Sequence, residues 1–399
     1  MYRWAKLTSA VVLTFGLCLT ASGCGSADPD EAIIPNSTCQ AIDADQGEGL
    51  DLSGQTTPDA LAIVAANTAN NPAPVMSATV NGLIEGLMNR EILPSLWSAS
   101  DSHTLQFELP WEEDATDAAK ADLVDDYVTT INEALQTPAT QPGLALFDTL
   151  TVATDTMKSA GASDPWIVLI GSGLDDHGPL DTTHGLLGEE PDAVAQRLRL
   201  AHPDLDLTNM TVLLQSFGYT APPQSSASDV ERALITTMWQ TVLEEFGATV
   251  LIDPKPAAAC SLTTSQTVAT TEFPKVELVC APQSKTYQMP SALLFTVGSP
   301  ELSAEGRALI TEPIQLMINN PGAEAQVVGY ASVDGDSASN QELSEQRAAN
   351  VATAMRGELP GRQITDSGQG ELDLPDPTQA RRVDITISNL PDGQTCTEQ

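Results

Sequence analysis

Apolar positions along this chain fall into two regimes that predict different elements. Leu61-Ala62-Ile63-Val64-Ala65 and Trp166-Ile167-Val168-Leu169-Ile170 are short continuous apolar runs, and the stretches 210–215 and 248–252 are apolar apart from Thr211, Gln215 and Thr249. Such runs are the mark of strands buried on both faces. Between them, residues 78–89, 114–135, 143–159 and 228–246 carry apolar positions at helical spacing. Leu105, Phe107 and Leu109 alternate with polar neighbours over 103–109, which predicts one further, half-buried strand. Continuous strands separated by helices predict an α/β domain over 58–254 with a mainly parallel sheet covered on both sides.

Residues 255–289 hold several prolines and two alternating stretches, 266–271 and 275–279, and predict a connector carrying a small hairpin packed onto the first domain. A second α/β domain, over 290–391, opens at Ala292-Leu293-Leu294-Phe295. It continues with a helix from Ser303 to about Asn319, a strand over 325–330, a helix through 340–351 and strands at 363–367 and 383–388, enough for a mixed sheet. On its long helix Leu343, Arg347 and Val351 share one face with Asn340 and Ala348, so an arginine sits inside an apolar stripe. Two roles fit such an arginine. It can snorkel, covering the core with its stem, or it can be held rigid to take a carboxylate through both ends of its guanidinium.

The sequence around that helix decides for the second role. Gly329-Tyr330-Ala331-Ser332-Val333-Asp334-Gly335 precedes it, and Gly368-Gln369-Gly370-Glu371, Pro375 and Arg381-Arg382-Val383-Asp384-Ile385 follow. In this order and spacing the motifs resemble the OmpA-like peptidoglycan-binding domain, over about residues 290–390. The resemblance implies a stem-peptide ligand, usually meso-diaminopimelate. Its ammonium is held by an aspartate in the glycine-led loop and its carboxylate by the helix arginine. Arg347 matches that arginine, and Asn340, Leu343 and Ala348 fit around it. The family aspartate falls on Ser332, which carries no charge, and Asp334 or Asp336 would have to substitute. Arg381 and Arg382 match the family's strand pair, with Ala380 where an asparagine usually stands. The implied ligand residues are therefore Ser332, Asp334, Asn340, Leu343, Arg347 and Arg382.

The first domain is similar to a von Willebrand factor A or Rossmann-like fold, and departs from it where the chemistry would lie. Asn67-Thr68-Ala69-Asn70 stands in place of the metal-adhesion Asp-x-Ser-x-Ser, and Gly171-Ser172-Gly173 replaces Thr-Asp-Gly. Without those oxygens a divalent cation is poorly held, and Gly171-Ser172-Gly173 lacks the third glycine of a dinucleotide fingerprint. No metal and no cofactor are expected. Asp175-Asp176-His177-Gly178-Pro179-Leu180-Asp181-Thr182-Thr183-His184 gathers acids and histidines just beyond a strand's carboxyl end, where α/β folds place ligands. It fits either a hydrolytic metal site or a polar turn; no partner motif for a base or nucleophile occurs elsewhere, which favours the turn.

Composition bounds the setting. The 399 residues are 41% hydrophobic, enough for two domains with real cores. A net charge of −37, spread along the chain, argues against nucleic acid as a partner. Every lysine lies at or before position 285, so the cations of the second domain are all arginines. Arg3 and Lys6, an apolar run from Ala10 to Leu19 and Ala21-Ser22-Gly23-Cys24 make residues 1–23 a secretory signal. Ala-Ser-Gly-Cys also resembles a bacterial lipobox, with Ala21 where leucine is commoner. That implies a lipid-modified Cys24 on a flexible spacer over 24–57, with simple secretion as the alternative. Cys39, Cys260, Cys280 and Cys396 remain, and their spacing is not that of a zinc site. Pairing Cys39 with Cys260 and Cys280 with Cys396 would bracket each domain, leaving 392–399 as a tail; a Cys260–Cys280 clasp is the rival.

These features together predict a non-catalytic, lipid-anchored protein of the cell envelope that holds peptidoglycan through its C-terminal domain and presents its N-terminal domain to an envelope protein. Two alternatives stand beside this expectation. One is an anchored enzyme or small-ligand receptor built on the first domain, and the other is a C-terminal domain that has lost wall binding and mediates protein contacts.

Overall fold

The computed structural model describes residues 34–35, 50–100, 104–105, 117–253, 260–262, 264, 266, 268–296, 299–332, 337–372, 374 and 377–391. The signal, Cys24, Cys39, Asp334, Asp336, Cys396 and most of the strand expected over 103–109 lie outside them.

A two-residue strand β1 (Ile34–Pro35) precedes the first domain, which is built from β2 (Ala60–Ala65), α1 (Ala78–Met88), β3 (Ser95–Ser98), β4 (Thr104–Leu105), α2 (Asp117–Leu135), α3 (Leu146–Ser159), β5 (Pro165–Ile170), α4 (Pro191–Ala201), β6 (Thr211–Gln215), α5 (Asp229–Glu245) and β7 (Thr249–Asp253). Its sheet runs β4-β3-β2-β5-β6-β7, with five parallel strands and β4 antiparallel at the edge. This is a doubly wound order that reverses between β2 and β5. Alternate side chains serve opposite faces. Ile63, Trp166 and Val168 meet Ile84 of α1 and Ile131 of α2. Val64, Ile167 and Leu169 meet Phe147 of α3, Leu198 of α4 and Trp239 of α5. Two elements here escaped the hydrophobic pattern. β3 holds only two apolar residues, and α4 exposes much of its surface.

β8 (Cys260–Ser261) pairs in parallel with β1, setting Ile34 beside Cys260. The expected stretch 266–271 forms no strand among its described residues. The hairpin is β9 (Glu277–Ala281) with β10 (Ser284–Pro290), and β10 pairs with the last strand of the chain. It therefore belongs to the second sheet, inside the span expected for a connector and away from the first domain's sheet.

The second domain continues through α6 (Ser291–Leu294), α7 (Ala304–Leu309), α8 (Thr311–Asn319), β11 (Glu324–Ala331), α9 (Ser337–Glu358), β12 (Ile364–Glu371), α10 (Pro377–Ala380) and β13 (Arg382–Ser388). Its mixed sheet runs β12-β11-β13-β10-β9, with β11 and β12 parallel. Val351 and Met355 of α9 and Ile314 and Met317 of α8 cover Val327, Val383 and Ile385. The single helix expected from Ser303 is two, because Pro313 has no N–H for the Leu309 carbonyl and its ring crowds that group. No helix among the described residues is long and apolar enough to cross a membrane.

One buried acid of the first domain caps a helix across the fold. Ala145, at the N-cap of α3, has no capping side chain. Instead, Asp175 accepts the backbone N–H of Phe147 at 3.1 Å and also bonds that of Leu146. Burial pushes its carboxyl well above the ordinary value of 3.8; the two backbone donors oppose the rise and Asp148 and Asp176 add to it. The native state thus keeps a proton that the unfolded chain gives up. Its stabilising effect is full below 3.8 and is lost as pH rises toward the folded value. Asp175→Asn keeps the acceptor and removes that titration. Thermal unfolding over a pH series is expected to show the variant gaining on the wild type as pH rises, whereas Asp175→Ala, which loses the cap, should cost about 1 kcal/mol.

Candidate carboxylate-binding site

Two glycines set how closely α9 lies on its sheet. A Cβ on Gly329 of β11 would stand 2.2 Å from the Ser344 carbonyl oxygen, and one on Gly368 of β12 would stand 2.4 Å from the Glu345 nitrogen and from Ser344 Oγ. With hydrogen alone at both positions, polar groups of helix and strand bond directly. Gly370 N donates to Ser344 Oγ at 2.9 Å, and Gln341 Nε2 donates to the Gly368 carbonyl at 3.1 Å. One turn beyond this seat stands Arg347.

The Arg347 side chain is only 4% exposed. Its guanidinium lies 5.3 Å from the centre of the Phe295 ring, a cation–π contact that a covered site strengthens. Nη2 donates to Oε1 of Glu190, a residue of the first domain, while Nε is buried with no partner. Beside this pair is a cavity of about 110 Å³ lined by Glu190, Ala193, Ala331, Ser332, Asn340, Leu343, Arg347 and Arg381.

Four of the six expected ligand residues, Ser332, Asn340, Leu343 and Arg347, therefore surround one cavity. Asn340 Nδ2 donates to the Ser332 carbonyl at 3.1 Å and to Glu371 Oε1 at 3.2 Å, tying the loop after β11 to the helix. Arg382 is not brought there. It bonds Asp384 at 2.8 Å, lies 5.4 Å from the Tyr330 ring and donates to the Gln379 carbonyl. Burial raises the Asp384 carboxyl above its ordinary value and Arg382 opposes the rise. Arg381 lines the cavity in its place, since successive residues at the start of a strand face opposite ways. Asp334 lies outside the described residues. Glu190 carries no motif, although Pro191 directly after it is a helix-start signal.

The loop 175–184 is built as a turn whose acids serve their own backbone and neighbours. Asp176 accepts from the N–H groups of Leu144 and Ala269 and pairs with His177 at 2.6 Å. Asp181 accepts the Thr183 N–H and pairs with His184 at 3.0 Å. The crevice where the first sheet reverses is filled by its own amides. Asn71 accepts the Ser172 N–H at 2.8 Å and donates to Thr68, and Gln215 bridges the backbone of Val75 and Ser77. Among the described residues no three His, Cys, Asp or Glu side chains gather as metal ligands.

A mixed-sheet α/β module with a buried guanidinium at the wall of a small cavity is equipped to receive a carboxylate. Residues 294–384 match the OmpA family and form an OmpA-like domain. Similar solved structures include a MotB-like protein from Desulfovibrio vulgaris, 25% identical over 30% of this chain and 82% of that one, with a TM-score of 0.26. The OmpA-like domain of FopA1 from Francisella tularensis is 23% identical over 32% of this chain and 86% of that one, TM-score 0.25. The peptidoglycan-associated lipoprotein from Burkholderia pseudomallei is 22% identical over 24% and 88%, TM-score 0.22. No curated protein matches the chain.

The seating of α9 is directly testable. Gly329→Ala is expected to cost about 1–3 kcal/mol of stability in chemical denaturation, because the added methyl meets backbone that cannot yield without moving the helix.

Proposed function

We propose that this protein is a non-catalytic lipoprotein of the bacterial cell envelope that binds peptidoglycan through its OmpA-like domain, gripping a stem-peptide carboxylate, that of diaminopimelate, with Arg347. The observation that carries the proposal is a guanidinium buried at a cavity wall and already paired with a carboxylate, on the helix of a domain matching the OmpA family. Asn340 and Ser332 shape the cavity wall, Leu343 supplies apolar contact, and Asp334 is the acid nearest in sequence to Ser332 for the ligand's ammonium.

Cys24 carries lipid and holds the chain at the extracytoplasmic face of a membrane. The spacer over 24–57 gives reach, and the first domain meets an envelope protein partner. Two weak attachments on one chain reinforce each other, so modest affinity for the wall is sufficient. Cys39 pairs with Cys260 and Cys280 with Cys396. The parallel pairing of Ile34 with Cys260 supports the first bond. For the second, Leu390 N bonds the Gln283 carbonyl, so the end of the chain passes the hairpin that holds Cys280.

Purified diaminopimelate-type sacculi should retain the wild type and lose Arg347→Ala. Equal retention of the two would refute the arginine grip, and failure of the wild type to bind would favour a domain given over to protein contacts. In a non-reducing peptide map the pairs Cys39–Cys260 and Cys280–Cys396 are expected, and a Cys260–Cys280 peptide would exclude them.

A further inference from the structure

We infer that Glu190 is an internal competitor for the wall ligand: with the first domain docked it holds Arg347 at the cavity wall, and a ligand carboxylate must displace Glu190 to take the arginine. This rests on the wall-binding function proposed above and adds how the site is controlled.

Glu190 does not serve its own helix. It stands at the N-cap of α4 with no side-chain bond to the first turn, a position where shorter Ser, Thr, Asp or Asn side chains make the cap. The adjacent Glu189 turns to Arg197 of its own domain, which donates to both carboxylate oxygens. Glu190 reaches across to a residue far along the chain instead. The α4 N-terminus behind it favours a negative charge at that point.

The pair is also incomplete. Arg347 donates to Glu190 through Nη2 alone, and its buried Nε has no partner. Planar guanidinium geometry favours a two-pronged carboxylate bond through Nε and Nη2, and Glu190 makes only the second half of it. Glu190 thus occupies the arginine without using its full donor set, and a better-placed carboxylate can take over. Removing Glu190 would leave a covered cation without its acid, which favours separation of the domains or capture of another carboxylate.

A site open in only a fraction of molecules binds its ligand more weakly by that fraction. The test compares full-length wild type, Glu190→Gln, Glu190→Ala and Arg347→Ala. Co-sedimentation with diaminopimelate-type sacculi is read beside hydrogen exchange over residues 182–190, with and without soluble muropeptides released from the same sacculi. Both Glu190 variants should bind the wall about tenfold more tightly than the wild type. Arg347→Ala should not bind. Soluble muropeptide should speed exchange over 182–190 in the wild type, and the Glu190 variants should exchange fast there without it. If the wild type and Arg347→Ala differ while both Glu190 variants match the wild type, wall binding stands and the internal competition is overturned. If no variant binds the wall, the wall-binding function itself fails. Slow exchange over 182–190 in Glu190→Gln would also overturn the inference, because the domains would then dock without the pair.

Discussion

The packing of α9 on its sheet is the constraint that the rest of the second domain obeys. A helix this close to two strands needs both of them bare at the crossing, and Gly329 and Gly368 meet that need at neighbouring positions of paired strands. The close approach lets Ser344 and Gln341 bond strand backbone directly, which fixes both the height and the rotation of the helix. Rotation decides everything at the next turn. A helix free to turn by part of a residue would carry Arg347 toward solvent, where it would cover the core as an ordinary snorkelling side chain. Held as it is, the guanidinium faces Phe295 and the cavity.

The first domain uses its polar groups in the opposite way. At the reversal of strand order, where doubly wound sheets hold ligands, Asn71, Thr68, Gln215 and Ser172 bond one another and nearby backbone. The acids that sequence alone could assign to a metal site cap a helix or brace a turn. Among the described residues, the carboxylate this domain offers to Arg347 is Glu190, at the start of α4. Its chemistry lies at a helix end on the side of the sheet.

Much of this was legible in the sequence, and what was not has physical causes. Apolar runs gave β2, β5 and β6, because residues buried on both faces are almost all apolar, and they also gave β7, an edge strand that is only partly covered. β3 was hidden because Ser95 and Ser98 flank only two buried apolar residues. Pro313 announced the break between α7 and α8, yet the apolar spacing runs through it unchanged. Arg347, Asn340, Leu343 and Ser332 were expected together because family motifs hold them at fixed spacing on adjoining elements, and they line one cavity. Arg381 rather than Arg382 lines that cavity because adjacent positions at a strand's start face opposite sides, and two neighbouring arginines carry no mark of which turns inward. Glu190 could not be found at all. Its meaning arises from the docking of two domains, and local sequence patterns report only on their own element.

That docking follows from the nature of the charge it covers. A guanidinium keeps its charge where a buried lysine can lose its own. A covered, unpaired cation costs about 3–5 kcal/mol, so each state of the protein that covers Arg347 needs a carboxylate within reach. Within the described part of the second domain no acid meets this need: Ser332 occupies the family's aspartate position, Glu371 is turned to Asn340, and Asp384 is turned to Arg382. The acid that meets it therefore comes from outside the domain, from Glu190 at the start of α4. The permanent charge on which the proposed carboxylate grip depends is thus the same charge that Glu190 answers across the domain boundary.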